Sequence, residues 1–411
     1  MAPTKSKVAI IGSGLAGLTL ALALHQQNIP VTVYESRPAP LNIGGAVMLS
    51  PNALRVLDNL GIYDIFKTKG YNFTHLEYRD LEGNLTETYP FGGKEKYGYD
   101  GLRIYRYVLI EELVAALKEK SIPVHYGKKF THVVKDTVEE GVVFAFADGT
   151  TESATLLVGA DGIHSTVRRY LYPDLETKFI GMAGITAAVP TSQLKLPPGY
   201  YLPVTITSPK GAFVIAPQQP DGSEVLIGKQ QRVIAPDQPG WDREFVSDKE
   251  GAIKFLQSDT SHFPEFIQNA VSYIDPKKVN KWPFFIVPKL EKWASETRQV
   301  IIVGDSAHAI PPSAGQGINQ AFEDVYILAL ILSREKRIKS LQDALTFWQS
   351  YRQERVDKIL ELNQQIDLRR MPSNDKVVGV DSGVVKAEFD LTWLYNPNFP
   401  KVVNDWVSQQ E

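Results

Sequence analysis

At 411 residues, with 43% hydrophobic, 10% aromatic and 22% charged residues, the chain has an ordinary globular composition and the length of two domains or one elaborated domain. A net charge of -3 without any Lys/Arg-rich block gives no field for gripping phosphate backbones, so nucleic acid is not an expected partner. The absence of cysteine excludes disulfides, thiolate metal sites, iron-sulfur clusters, a thiol-linked flavin and the dithiol flavoenzymes, and no metal site is expected.

The chain opens with a short apolar strand (Lys7 to Ile11), a helix (Leu15 to Gln27) and, after Asn28-Ile29-Pro30, a second strand (Val31 to Tyr34), which is a βαβ unit. Lys5 and Lys7 before the apolar run could pass for a signal peptide. Gly12, Gly14 and Gly17 interrupt that run, however, and no small-residue cleavage site follows it, the next residues being His25-Gln26-Gln27-Asn28. No other apolar run approaches the roughly 20 residues of a membrane span, so a cytoplasmic protein is expected. Ser50-Pro51 reads as an N-cap with proline at the first helical position, and Leu54, Leu57 and Leu60 carry that helix to Gly61. Phe73 to Pro90 reads as a hairpin around Glu82-Gly83-Asn84, followed by a helix from about Tyr107 to Lys120 and short strands near Val124, Val133 and Val142 to Phe146. Thr155 to Val158 is one more apolar strand. From about Phe179 to Trp282 the texture is β-like (Tyr200 to Thr207, Ala212 to Pro217, Glu224 to Lys229), with a helical piece near Ile253 to Phe266. Gln299 to Val303 returns to a buried-strand pattern, and helices are expected at Gln320 to Leu332 and about Leu341 to Arg370.

Three segments carry chemistry. Gly12-Ser13-Gly14-Leu15-Ala16-Gly17 lies between strand and helix, where glycines permit a tight turn and close approach of backbone to a pyrophosphate at the helix N-terminus. Glu35, about 18 residues past Gly17, ends the second strand where a carboxylate accepts from ribose hydroxyls, with Arg37 beside it. This motif alone does not separate FAD from a nicotinamide dinucleotide. The second segment is the strand ending in Gly159-Ala160-Asp161-Gly162, with Ser165 and Arg168 at D-G-x-x-S-x-x-R spacing. The third is the strand ending in Gly304-Asp305, followed by Pro311-Pro312 and Gly315-Gln316-Gly317-Ile318-Asn319 at the start of a helix.

With these three fingerprints in this order, the sequence resembles the aromatic-hydroxylase (class A, single-component) family of FAD-dependent monooxygenases over roughly Lys7 to Ser333. The resemblance implies a doubly wound FAD-binding α/β domain (1–72, 98–178 and 284–335), an inserted, mainly antiparallel β-sheet substrate domain (73–97 and 179–283) and a C-terminal helical region (336–411). It further implies FAD as cofactor, NADPH or NADH as electron donor, and O2 activated as a flavin hydroperoxide that hydroxylates a small-molecule substrate. Baeyer-Villiger oxidation or epoxidation is the alternative use of the same oxidant. By the same likeness Arg106 lies along FAD, Asp161 supports the pyrophosphate region, Asp305 holds the ribityl hydroxyls, and Gly44, Gly45 and Ala46 lie beside the isoalloxazine. Pro311 and Pro312 border the oxygen-reacting ring, while Gly315, Gly317 and Ile318 present a helix N-terminus to its pyrimidine side.

Arg168, His164 and His308 sit inside cofactor fingerprints, and structural roles are expected for them. On the substrate side no base stands out. Tyr201, Gln218 and Lys229 are the candidates because they border or begin strand-like segments of the second domain. Two rivals fit less well. A flavin halogenase needs a W-x-W-x-I-P segment, which Trp282-Pro283-Phe284-Phe285-Ile286-Val287-Pro288 does not supply. A noncatalytic FAD-fold binding protein has no need of all three fingerprints.

Overall fold

The computed structural model describes residues 8–40, 45–235, 240–370 and 390–410; Lys5, Lys7 and Gly44 lie outside them. At its centre stands a five-stranded parallel sheet. Val8–Ile11 is the middle strand, with Val31–Tyr34 and Val124–His125 on one side and Leu156–Gly159 and Val300–Ile302 on the other. Every residue of the three inner strands is buried, which is why these runs are apolar throughout instead of alternating: helices cover both faces. Leu15–Gln26 packs against Gly317–Leu332 and Arg106–Glu119 in one continuous core. Because the sheet is parallel, the carboxyl ends of its strands share one edge. That edge carries Gly12, Glu35, Ala160-Asp161 and Gly304-Asp305, from segments up to 290 residues apart.

A seven-stranded sheet flanks this edge, in the order Val279–Ile286, Lys178–Pro190, Glu224–Arg232, Gly211–Pro217, Val204–Ser208, His75–Arg79, Leu85–Pro90. It is antiparallel except where Val204–Ser208 runs beside His75–Arg79. One face carries Ile185, Ala187, Val204, Ile206, Phe213, Ile215, Val225 and Ile227, packed with Leu256 and Ile267 of the helices Lys249–Gln257 and Glu265–Ala270. Side chains alternate along a strand, so Gly184, Thr186, Val214, Ala216, Leu226 and Gly228 take the opposite face, toward the cavity described below. A three-stranded sheet, Ala46–Leu49, Gly101–Tyr105 and Tyr71–Phe73, bridges the two large sheets. The 30-residue helix Leu341–Arg370 brings Ile359 and Ile366 into a third apolar cluster with Tyr78, Tyr89, Phe91 and Ala314. Among the described residues no helix is long and apolar enough to cross a membrane.

Several boundaries differ from the sequence reading. The strand expected from Tyr200 begins at Val204, because Pro203 has no N–H to give to a ladder. The single helical piece near Ile253 to Phe266 is three short helices, the first of them Trp241–Ser247. Ser50 occupies the N-cap position of Pro51–Asn59, but its hydroxyl turns to Asn52 Oδ1 (2.5 Å) and accepts from Gln316 Nε2 (2.9 Å) instead of capping the backbone.

Candidate active site

The glycines of the first turn differ in what surrounds them. A Cβ on Gly17 would sit 2.0 Å from the Gly12 carbonyl oxygen, and one on Gly12, at φ +105°, would sit 2.6 Å from the Ala160 oxygen, so close packing leaves no room for a side chain at either. A Cβ on Gly14 would meet nothing within 4 Å. Gly14 is also the N-cap of Leu15–Gln26 and provides no side-chain cap, which leaves the first N–H groups of that helix open to an anion. Glu35 is buried beside this turn. Its Oε2 accepts from the Ser13 backbone N–H (2.9 Å) and hydroxyl (3.0 Å), and its Oε1 from the Arg37 N–H (2.8 Å) and Ser36 hydroxyl (3.0 Å). Burial pushes this carboxyl up, yet those four donors outweigh it and hold it below the usual carboxylate range. The Arg37 side chain is exposed and reaches back to Glu35 at 3.5 Å.

At the other end of the same edge, Asp305 is exposed into a cavity and has no hydrogen-bond partner among the described residues. Its Oδ1 lies 4.0 Å from a Cβ built on Gly317. A free carboxylate beside an open helix N-terminus can accept from polyol hydroxyls. Asp161 behaves differently. Its oxygens accept from the Ser165 (2.5 Å) and Ser306 (3.1 Å) hydroxyls and from the Thr166 (2.7 Å) and Val167 (3.2 Å) N–H groups, which caps Thr166–Leu171 and turns the carboxylate inward. Arg168 donates to the carbonyls of Ser306 (3.0 Å) and Ile163 (2.5 Å), locking that loop to the Asp305 segment.

One cavity of about 1090 Å³ runs along this edge. Its cofactor end is lined by Gly14, Gly45, Ala46, Arg106, Asp305, Pro312, Gly315, Gly317 and Ile318, brought together from four separate segments. Gly12, Gly17, Gly304, Pro311, Glu35, Arg37 and Asp161 are not among the residues that line it. Leu76, Tyr78, Tyr89 and Phe91 form an aromatic wall of this cavity beside Ala314 and Gly315, while Trp282 and Phe284 line it from the strand at the opposite edge of the seven-stranded sheet. The first helix's open N-terminus, the unpaired Asp305 and the side-chain-free position at Gly14 fit a phosphate-bearing dinucleotide with a polyol arm.

The substrate-side candidates separate. Tyr201 stacks on His75 (4.4 Å between ring centroids) and donates to its carbonyl, away from the cavity lining. Gln218 is buried and ties the sheet to the bridging strands: its Oε1 accepts from the Ala46 N–H (3.3 Å), and its Nε2 donates to the Tyr105 hydroxyl (2.9 Å). Lys229 falls in register with Val225 and Ile227 on the helix-covered face. There its Nζ donates to the Ser258 carbonyl (2.9 Å) and lies over the Phe255 ring. Burial lowers this amine to about 8, with Asp259 opposing. Lys229, Phe255 and Ser258 nevertheless stand among the residues that line the cavity. Because the Nζ is already engaged by the Ser258 carbonyl and the Phe255 ring, we expect Lys229→Met to retain FAD and keep turnover within about threefold of the parent. A hundredfold loss of turnover in a folded, yellow variant would restore Lys229 as a candidate base.

Sequence reading missed the layer beneath the site. Asp324 accepts from the Gly304 N–H (2.9 Å), pairs with His308 Nε2 (2.5 Å) and takes the Arg352 Nε (2.8 Å), while Glu323 pairs with Arg352, Arg355 and Asn52. Glu323, Asp324 and Arg352 are fully buried. Burial pushes both carboxyls up, but Arg352 with Arg355 or His308 overrides it and holds them low. Asn319 accepts from the Ser50 N–H (2.9 Å) and donates to the Met48 carbonyl (3.0 Å), so the helix Gly317–Leu332 holds the strand Ala46–Leu49 as well. The available signal was an acidic pair inside the apolar run Phe322 to Leu332, matched by arginines three residues apart in the last long helix.

Over residues 5–363 the chain matches the family described as FAD binding domain. It is 27% identical to hispidin-3-hydroxylase of Neonothopanus nambi, covering 95% of this chain and 97% of that protein. It is 28% identical to 3-amino-4-hydroxybenzoate 2-monooxygenase of Streptomyces cremeus, covering 95% and 94%. Among solved structures, Klebsiella pneumoniae HpxO complexed with FAD and uric acid superposes with a TM-score of 0.75 at 22% identity, covering 98% and 96% of the two chains.

Proposed function

Because the chain belongs to the FAD binding domain family and is an FAD-dependent monooxygenase, we propose that it uses NADPH or NADH and O2 to insert one oxygen atom into a small aromatic or polycyclic substrate. The observation that carries this reading is the continuity of the cavity. Gly14 and Asp305, the positions assigned to the dinucleotide, line the same cavity as the aromatic wall of Tyr78, Tyr89 and Phe91 and as Trp282 and Phe284. Aromatic walls offer flat apolar surface and edge-to-face partners to a ring substrate. Relatives named for hydroxylation of hispidin and of 3-amino-4-hydroxybenzoate support a hydroxylated ring as the substrate class.

When bound, FAD supplies the redox and oxygen chemistry. The chain's own contribution is placement. Gly14 and the helix behind it would receive the pyrophosphate, Asp305 would accept from the polyol arm, and Arg106 would flank it. The N-terminus of Gly317–Leu332, capped by no side chain, directs its N–H groups and positive end where negative charge collects on reduction. Pro311 and Pro312 stiffen the loop between cofactor and substrate and keep water from the reacting atoms.

Gly45 and Ala46, which line the cavity with at most a methyl group, would allow a bound flavin more than one position. A true substrate that favours one position should accelerate NAD(P)H oxidation at least roughly tenfold, about 1.4 kcal/mol of bias. A screen of phenolic and polycyclic compounds, followed by NAD(P)H absorbance, tests this. Equal rates with and without every compound would contradict it.

A further inference from the structure

Among the described residues four arginines are buried: Arg352 and Arg355 meet carboxylates, and Arg168, whose Nε has no partner, still donates through its two terminal nitrogens to carbonyls at 3.0 and 2.5 Å near Asp161. Arg103 is the exception. It sits mid-strand in Gly101–Tyr105, in register with Met48 on one side and Tyr71 on the other. Its neighbours Leu102 and Ile104 point into the main core, so Arg103 takes the opposite face with Met48 and lines the cavity at 5% exposure. Its hydrogen-bond partner is the Gln218 amide oxygen, at the limiting distance of 3.5 Å. Among the described residues its Nε has no partner, and no carboxylate pairs with it. Burial lowers the guanidinium to about 10, so the group stays charged at neutral pH without a counter-ion. Such a cation costs several kcal/mol unless something anionic meets it.

Gln218 fixes its position. The amide oxygen that Arg103 approaches also accepts from the Ala46 N–H, and it lies 3.9 Å from a Cβ built on Gly45. Arg103 therefore meets the cavity at the level of Gly45 and Ala46, which line it too. We propose that Arg103 and Gln218 form an anion seat in the cavity, which receives an anionic oxygen, carboxylate or phenolate, of the ring substrate. This rests on the hydroxylase reading for its ring substrate. The same seat could meet the charge of the reduced isoalloxazine, and the two sources differ in what they change.

The test uses FAD-loaded parent enzyme, Arg103→Met and Arg103→Lys. Dissociation constants are measured from flavin absorbance for benzoates and phenols against their neutral amide and methyl-ether counterparts, and midpoint potentials by dye equilibration without ligand. A substrate seat predicts that Arg103→Met weakens the anions at least roughly tenfold while neutral counterparts change less than about threefold, with partial recovery in Arg103→Lys. A seat for the reduced ring instead predicts a lower midpoint potential in Arg103→Met with ring-ligand preference unchanged; that result keeps the anion seat but moves its occupant. The proposal is overturned if the parent shows no preference for anions, or if Arg103→Met holds FAD with both preference and potential unchanged. Anions that bind through Arg103 but never gain oxygen leave the seat standing and count against the hydroxylase reading alone.

Discussion

Arg352→Met is expected to destabilise the protein by about 3–5 kcal/mol, the range for removing one partner of a buried ion pair and leaving its charges uncompensated. The guanidinium spans Asp324 (2.8 Å), Glu323 and the Gln320 side chain (2.6 Å), all inside the helix that backs the cavity. Loss of the bridge leaves Asp324 to His308 and the Gly304 N–H, so the turn that aims Asp305 loosens and FAD retention falls with stability. The pH dependence has a sign. Burial raises the Glu323 and Asp324 carboxyls, but in the parent the arginines and His308 pull them lower still. Their contribution is therefore present above the ordinary carboxylate pKa and lost as pH falls through the lower folded values. In Arg352→Met burial is no longer offset in full, so protonation is favoured in the folded state and the deficit against the parent should shrink from pH 7 to pH 5. Denaturant unfolding at both pH values measures this; a loss below about 1 kcal/mol, or one that grows on acidification, would contradict the account.

The second large effect separates two glycines three residues apart. Gly14→Val should fold like the parent, because nothing stands within 4 Å of its Cβ, yet bind FAD roughly a hundredfold more weakly, about 2.7 kcal/mol, because the side chain enters the space assigned to the pyrophosphate. Gly17→Ala should fail earlier. Its Cβ lies 2.0 Å from a backbone oxygen, so the helix must move off the sheet, and a loss beyond about 4 kcal/mol is expected. Thermal unfolding of the apoproteins and FAD titration distinguish the two. If Gly14→Val retains full FAD affinity, the cofactor does not lie along this turn.

The parallel sheet was legible in the sequence because its strands are buried on both faces and read as uninterrupted apolar runs bounded by glycines. The edge we propose for the cofactor was legible for the same reason: glycines and carboxylates follow those runs directly, at Gly12, Asp161 and Gly304-Asp305, although the structure turns Asp161 inward. The strand Lys178–Pro190 was not. Its cavity face carries Met182, Gly184 and Thr186 opposite Ala183, Ile185 and Ala187, so it lacks the polar alternation of a solvated sheet. Lys229 shows the same difficulty from the other side. It could be seen to belong to a strand, but its face depends on register, and register placed it with Val225 and Ile227. Arg103 gave no signal at all, since a charged residue in a short strand looks exposed until its neighbours Leu102 and Ile104 are known to be core. Pairings such as Asp324 with Arg352, 28 residues apart, depend on how two helices pack and are not local properties of the chain.

The most direct test of the monooxygenase reading is turnover of the purified, FAD-loaded enzyme under ¹⁸O2 with NAD(P)H and a ring compound that accelerates donor oxidation. The account predicts product heavier by one ¹⁸O atom, with product formed in proportion to donor consumed. Donor oxidation in which every compound is recovered unchanged, and hydrogen peroxide accounts for all the electrons, would contradict it.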